Sequence, residues 1–263
     1  SHLSPIATGP QPLHAPGYAM GVAKDGGDPA VIAYFGDGAS SQGDVNEAFV
    51  YSTVFNAPVV FFCQNNQWAI SEPLERQTRV PLYQRANGFG FPGVRVDGND
   101  VLATYAVTRK AVDQARHGQG PTLVEAYTYR MGAHTTNDDP TRYRIASEVE
   151  AWQAKDPIKR MRLLLSNEGM ADDACYADCD ESAAAQAQDL RERVLAMPDP
   201  QPLTLFDNVY PGGSPELDEQ REQFPVDLAL RDIHEDIAPD RLGDVHLVPG
   251  DELPHELRQA EAE

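Results

Sequence analysis

Val31-Ile32-Ala33-Tyr34-Phe35-Gly36-Asp37-Gly38 and Val59-Val60-Phe61-Phe62-Cys63-Gln64-Asn65-Asn66 decide the fold of this chain. Each is a short apolar run that ends in a small polar motif. Continuous runs rich in β-branched and aromatic residues, bounded by turn residues, read as strands covered on both faces of a sheet. Between them Asp44 is expected to cap a helix over Val45 to Phe55, which makes the stretch a βαβ unit with parallel strands. Asp37 and Asn66 then leave the sheet at the same edge. In open parallel sheets that carboxyl edge is where ligands bind.

The residue types at that edge suit a metal and a diphosphate. Magnesium takes hard oxygen ligands and is usually held by one or two protein groups plus phosphate oxygens, which an Asp carboxylate and an Asn carbonyl oxygen can serve. The main-chain carbonyl of Trp68 is a candidate third ligand. Gly36 and Gly38 allow the turn to approach an anion closely, and the amides of Ala39 to Ser41 are expected to face it. Gly-Asp-Gly alone is more often a surface turn, and Asn-Asn is no more specific. The pairing carries the signal, with a strand before each motif and a helix over the stretch Ala39 to Gln64 between them.

Gly-Asp-Gly followed after such a gap by Asn-Asn resembles the cofactor motif of the thiamine-diphosphate enzymes. The segments Ser4-Pro5-Ile6-Ala7-Thr8, Gly43-Asp44, Phe61 to Ser71 and Val96-Asp97-Gly98-Asn99-Asp100 are similar to the alpha subunit of 2-oxoacid dehydrogenases. So is Tyr129-Arg130-Met131-Gly132-Ala133-His134-Thr135-Thr136-Asn137-Asp138-Asp139, which resembles that subunit's active-site loop. The likeness runs from about Ser4 to about Tyr210, with branched-chain-type members nearer than pyruvate-type ones. It implies a doubly wound α/β fold that contributes the diphosphate half of a thiamine diphosphate and Mg2+ site. By the same likeness, cofactor contacts fall to Ser4, Ile6, Gly36, Asp37, Gly38, Ala39, Asn66, Trp68, Ile70, Arg130 and His134, and metal contacts to Asp37, Asn66 and Trp68. A beta subunit, in an α2β2 heterotetramer, would supply the pyrimidine half and the activating Glu.

The implied reaction is oxidative decarboxylation of a 2-oxoacid with reductive acylation of a lipoyl group on an acyltransferase core. His134 matches the loop histidine that assists the lipoyl step; on the residues alone it reads as a solvated loop histidine. Thr135 and Thr136 stand where some members carry regulatory phosphoserines, and are expected to be unmodified. Arg130 and Arg144 are expected either to order the loop through Asp138 and Asp139 or to bind phosphate. Two other functions fit the same residues: an acetoin dehydrogenase alpha subunit, and a non-catalytic fragment that only assembles with a beta subunit. Family members also have a helical segment ahead of the point matching Ser1, with a Tyr-Arg pair for the diphosphate, so a truncated or separate fragment is expected. Gln64 stands where some members have a phosphate-reaching Arg.

Composition agrees with a soluble α/β enzyme: 263 residues, 41% hydrophobic, net charge −20. Beyond Met170 there are 24 acidic residues against 6 Arg and no Lys, so nearly all of the negative charge lies in the C-terminal third. Nucleic-acid binding needs a basic face and is excluded as an expectation. No apolar stretch approaches the roughly 20 residues of a membrane span, and a cytoplasmic protein is expected. Cys63, Cys175 and Cys179 make no metal-site spacing with nearby histidines.

The remaining periodicity predicts strands at Gly93 to Val96 and Leu123 to Tyr127, a helix from about Val101 to Arg116, and amphipathic helices near Ser147 to Asn167 and Glu181 to Met197. The domain expectation is a thiamine-diphosphate-binding core over 1–145, a helical part of the same domain over 146–225, and an acidic, partly disordered tail over 226–263.

Overall fold

The computed structural model describes residues 8–28, 30–207, 209–210 and 212–224. The expected disorder of 226–263, and the cofactor contacts expected of Ser4 and Ile6, fall outside those residues. In chain order the elements are α1 (Pro10–Lys24), β1 (Val31–Gly36), α2 (Gly43–Val54), β2 (Val59–Asn65), β3 (Trp68–Ala69), β4 (Glu72–Pro73), α3 (Leu74–Gln77), α4 (Arg85–Phe89), β5 (Gly93–Asp97), α5 (Val101–Arg116), β6 (Thr122–Tyr127), α6 (Ala146–Gln153), α7 (Pro157–Asn167) and α8 (Asp173–Leu195).

Four strands form one sheet in the order β1-β2-β6-β5. All its pairings are parallel, with Val31 opposite Val59 and Gly36 opposite Gln64. Alternating side chains of β2 feed two separate cores. Phe61 and Cys63 pack with Ala15, Ala19, Val45, Phe49 and Leu123 on the face covered by α1 and α2. Val60 and Phe62 pack with Val96, Ala111, Val124 and Ala126 under α5. Helices therefore cover both faces, which is why the strands read as unbroken apolar runs. Buried Cys63 is a packing residue, and desolvation pushes its thiol well above the ordinary value.

Three local expectations change. Asp44 does not cap α2: the helix begins at Gly43 with Gln42 at the cap, and Asp44 sits in the first turn, where its charge favours the helix dipole. The stretch read as one helical run over 147–167 is two helices, because Asp156 caps a new start at Pro157 by accepting from the Lys159 N–H at 2.9 Å. Helix α8 begins at Asp173 rather than Glu181; Asp172 accepts from the Cys175 N–H at 2.9 Å and starts it there.

The chain divides into two compact units, Ser1–Asp180 and Glu181–Glu263. The first holds the whole sheet and all its covering helices. In the second, Phe206 and Phe224 meet edge to face at 5.3 Å and Arg221 pairs with Asp207 at 2.9 Å. No helix among the described residues is long and apolar enough to cross a membrane.

Candidate functional site

The parallel register brings the ends of β1 and β2 side by side. Asp37, the first residue past β1, is buried at 1% exposure. Its Oδ1 accepts the Asn66 N–H at 3.2 Å and its Oδ2 accepts from Gln77 Nε2 at 3.1 Å. Desolvation pushes the carboxyl above its ordinary value, and the Gln77 and Asn66 hydrogen bonds only partly offset this. A buried carboxylate with spare lone pairs and no cation in contact is well suited to a hard metal ion.

The two glycines differ. A Cβ on Gly36 would meet nothing within 4 Å, so that turn faces open space. A Cβ on Gly38 would lie 2.9 Å from the Ala69 Cβ, so Gly38 is needed for the β3–β4 hairpin to pack against the turn. Ala39 and Ser40 are buried in a 3-10 turn. Of the three amides expected to face an anion, Ser40 N–H is committed elsewhere: it donates to the Asp37 carbonyl at 3.0 Å, as does Ser40 Oγ at 2.6 Å. Arg85 anchors this turn, donating to the Ser40 carbonyl and to Asn46 Oδ1, both at 2.8 Å.

The second arm of the site is a kinked loop. Asn66 Oδ1 accepts the Trp68 N–H at 3.0 Å. Gln67 and Ile70 both have positive φ, 70° and 56°, which for a β-branched residue such as Ile70 is strained. Arg130 braces that strain from β6's extension. Its backbone N–H donates to the Asn66 carbonyl at 3.2 Å, and its guanidinium donates to the Ile70 carbonyl at 2.7 Å and the Trp68 carbonyl at 3.4 Å.

The same extension carries the polar loop to this edge. His134 is exposed, and its N–H donates to Asp138 Oδ2 at 2.8 Å. That bond, joined by one from Tyr143 Oη at 2.6 Å, holds Asp138 below the ordinary carboxylate range. The expected Arg–Asp pairs of the loop are not formed. Arg130 reaches Asp138 only through the Tyr143 hydroxyl, at 2.9 Å, while Arg144 donates to the carbonyls of Arg130, Met131 and Gly132. Asp139 instead starts a short turn by accepting from Thr141.

Gln77, Arg85 and Glu125 escaped the sequence reading. Gln77 sits on a short helix with no periodic signal, and its Oε1 is buried without a partner. Glu125 is fully buried in the middle of β6. It accepts from Asn65 Nδ2 at 2.6 Å and from the Tyr83 N–H at 2.9 Å, and it pairs with Arg95 at 3.2 Å. The one available clue was a charged residue inside an otherwise apolar strand. Among the described residues no three His, Cys, Asp or Glu side chains gather as a metal site. A metal at Asp37 would therefore need phosphate oxygens to complete its shell, and the open space at Gly36 leaves room for them.

Residues 2–203 match the family model described as Dehydrogenase E1 component. The chain is 47% identical over 228 residues to the 3-methyl-2-oxobutanoate dehydrogenase subunit alpha of Mycobacterium tuberculosis, covering 86% of this chain and 62% of that protein. It is 47% identical over 171 residues to the pyruvate dehydrogenase E1 component subunit alpha of Staphylococcus aureus strain Mu50, covering 64% of this chain and 46% of that protein. The chain thus spans about half to three-fifths of the length of these relatives. With the family model covering most of its length and a parallel α/β sheet beneath the matched segments, the chain belongs to the dehydrogenase E1 component family.

Proposed function

We propose that this chain acts as the alpha subunit of a thiamine-diphosphate-dependent 2-oxoacid dehydrogenase and supplies the metal–diphosphate half of the site. The observation that carries the reading is the buried Asp37 carboxylate joined to Asn66 at the carboxyl edge of two adjacent parallel strands. The relatives' names support a 2-oxoacid substrate of the branched-chain or pyruvate kind. Asp37, Asn66 Oδ1 and the Trp68 carbonyl would hold Mg2+; the last two each accept one hydrogen bond here and keep a lone pair free. Gly36, Gly38, Ala39 and Arg130 would border the diphosphate, and Ile70, Ser4 and Ile6 are proposed as further cofactor contacts.

Thiamine diphosphate, when bound, supplies the electron sink for decarboxylation. This chain's residues bind and orient. Asp37 matches the metal's charge in a buried setting, and Arg130 keeps the Trp68–Ile70 loop in its strained form. His134 would deliver a proton to a lipoyl sulfur as the acyl group is transferred, on a loop held by Asp138 and Tyr143. A beta subunit in an α2β2 assembly supplies the other half of the site, and a lipoyl acyltransferase core accepts the acyl group.

Calorimetric titration of Mg2+ with thiamine diphosphate, with and without a beta subunit, tests the reading. Binding that requires Mg2+ is expected, and its absence in the assembled heterotetramer would refute the assignment. Assaying that assembly with 3-methyl-2-oxobutanoate, pyruvate and acetoin then fixes the substrate.

A further inference from the structure

Behind the Asp37–Asn66 edge lies a closed ring of polar contacts that the proposed chemistry does not use. Glu125 Oε1 accepts from Asn65 Nδ2 at 2.6 Å, and Asn65 Oδ1 accepts the Gln67 N–H at 3.1 Å. Gln67 Oε1 accepts from Tyr127 Oη at 2.7 Å. The Arg95 guanidinium lies 3.8 Å over the Tyr127 ring and closes the ring by pairing with Glu125 at 3.2 Å. Glu125 and Asn65 are wholly buried.

We infer that Glu125 and Tyr127 are positioning residues for the metal–diphosphate site, acting through Asn65 and Gln67 to aim Asn66 and the Trp68 carbonyl. This rests on the reading of Asp37, Asn66 and Trp68 as the metal-binding edge. Gln67 has a φ of 70°, a conformation that a non-glycine residue keeps only when its surroundings over-determine it. Three bonds do so: those from its N–H and to its Oε1 in the ring, and a third from Nε2 to the Thr128 carbonyl at 2.7 Å. Gln67 stands directly between Asn66 and Trp68, so its backbone turn decides where both oxygens point. Glu125 is wholly buried while the Arg95 side chain is a third exposed, and a pair of this kind adds little net stability over apolar groups of the same volume. The effect of Glu125 and Arg95 is therefore on orientation. Burial also holds the Tyr127 phenol above its ordinary value, which keeps the hydroxyl a donor to Gln67.

Tyr127→Phe tests this, because it deletes the one hydroxyl while keeping the ring under Arg95 and against Trp152. In the full chain assembled with a beta subunit, Mg2+-dependent thiamine diphosphate binding is expected to weaken roughly 3- to 10-fold, the worth of one hydrogen bond. Amide hydrogen exchange at Gln67 and Trp68 should accelerate, while exchange in β1 and α5 stays unchanged and the unfolding midpoint falls by at most a few degrees, roughly what one lost hydrogen bond costs. Glu125→Gln, which sets an amide N–H against Asn65 or Tyr83 and removes the charge facing Arg95, should weaken binding further and also lower the unfolding midpoint; if it fails to fold, Tyr127→Phe alone decides. Unchanged affinity in Tyr127→Phe, or a general loss of stability with affinity intact, overturns the inference. Asp37→Asn separates the two levels: if it binds like the parent, the metal-edge reading itself has failed and the inference falls with it.

Discussion

The Asn66 backbone N–H meets Asp37 Oδ1 at 3.2 Å across the carboxyl ends of two adjacent parallel strands. The contact belongs to the main chain on one side and to a buried carboxylate on the other. It survives any change of the Asn66 side chain and is altered by every change of Asp37. The two halves of the candidate metal edge are thus unequal, and the first two predictions separate them.

Asp37→Asn should abolish Mg2+-dependent cofactor binding without unfolding the chain, because it removes the one carboxylate of the proposed metal edge. The amide can still accept the Asn66 N–H, and once the Gln77 amide turns over, the new N–H2 can donate to Gln77 Oε1, which is buried and unpartnered in the parent. The sign of the pH effect follows from the raised Asp37 carboxyl. A group whose folded value is raised favours the ligand-free fold at low pH, and that contribution is lost as pH rises through the raised value. The ligand-free variant should therefore melt at or above the parent at neutral pH. Calorimetry and a melting curve read both halves, and a variant that binds like the parent refutes the role of Asp37.

Asn66→Ala should weaken cofactor binding less than Asp37→Asn does, because a neutral oxygen is lost and water can replace it. The bond from Asn66 N–H to Asp37 remains, while the Trp68 N–H loses its acceptor. If this variant binds more weakly than Asp37→Asn under the same conditions, the two roles are reversed.

Phe49→Ala should cost about 3 to 5 kcal/mol of stability. Phe49 is 1% exposed and meets Phe61, Phe89 and Phe91 edge to face at 4.9, 5.4 and 5.4 Å, so it ties α2 to the sheet and to α4. Chemical denaturation measures it. A loss under about 1 kcal/mol would mean that these rings repack around the gap.

Arg160 joins α7 to the turn before α5 through Asp97 at 2.8 Å, Asp100 at 3.2 Å and the Asn99 carbonyl at 2.9 Å. Burial works against the Asp97 carboxylate, but the Arg160 and Asn99 bonds outweigh it and hold the group below its ordinary value. A depressed carboxyl stabilises the fold above its unfolded value and loses that contribution as pH falls through the folded one. In a double-mutant cycle of Arg160→Gln with Asp97→Asn, the coupling should be under about 1 kcal/mol at pH 7, since both groups are half exposed. It should fade as acid protonates the Asp97 carboxylate, below the ordinary carboxylate range. A coupling that persists there would exclude the ion pair as its source.

The four sheet strands and α5 were legible because burial on both faces leaves continuous apolar runs, and because breakers such as Gly118 and Gly120, both at positive φ, stop the helix. Helix α1 was not legible. Pro10, Pro12 and Pro16 mask its period, yet Pro12 and Pro16 are buried core residues there. The hairpin β3–β4 is too short to show alternation. That Asp37 and Asn66 meet at one sheet edge could be read because each follows directly on a strand. Gln77 and Glu125 could not, because what makes them notable is a partner 40 to 60 residues away that only the folded register supplies.

His134→Ala, in the assembled heterotetramer, should spare decarboxylation followed with an artificial electron acceptor and strongly reduce acyl transfer to lipoyl. His134 is exposed on a loop that leaves the sheet beside Asn66, so its imidazole is available to an arriving arm, whereas cofactor activation belongs to the proposed partner's Glu. A positioned general acid is worth typically 10² to 10⁴ in rate, on the order of 3 to 5 kcal/mol. The competing explanation is a loosened loop, and the geometry provides its control. Asp138 Oδ2 receives both the His134 N–H and the Tyr143 hydroxyl, so Asp138→Asn, which keeps an acceptor oxygen but removes the charge behind both bonds, weakens the hold on the loop while leaving the imidazole in place. If His134→Ala slows both half-reactions equally, or only as much as Asp138→Asn does, the imidazole is not the acid and His134 serves the loop alone.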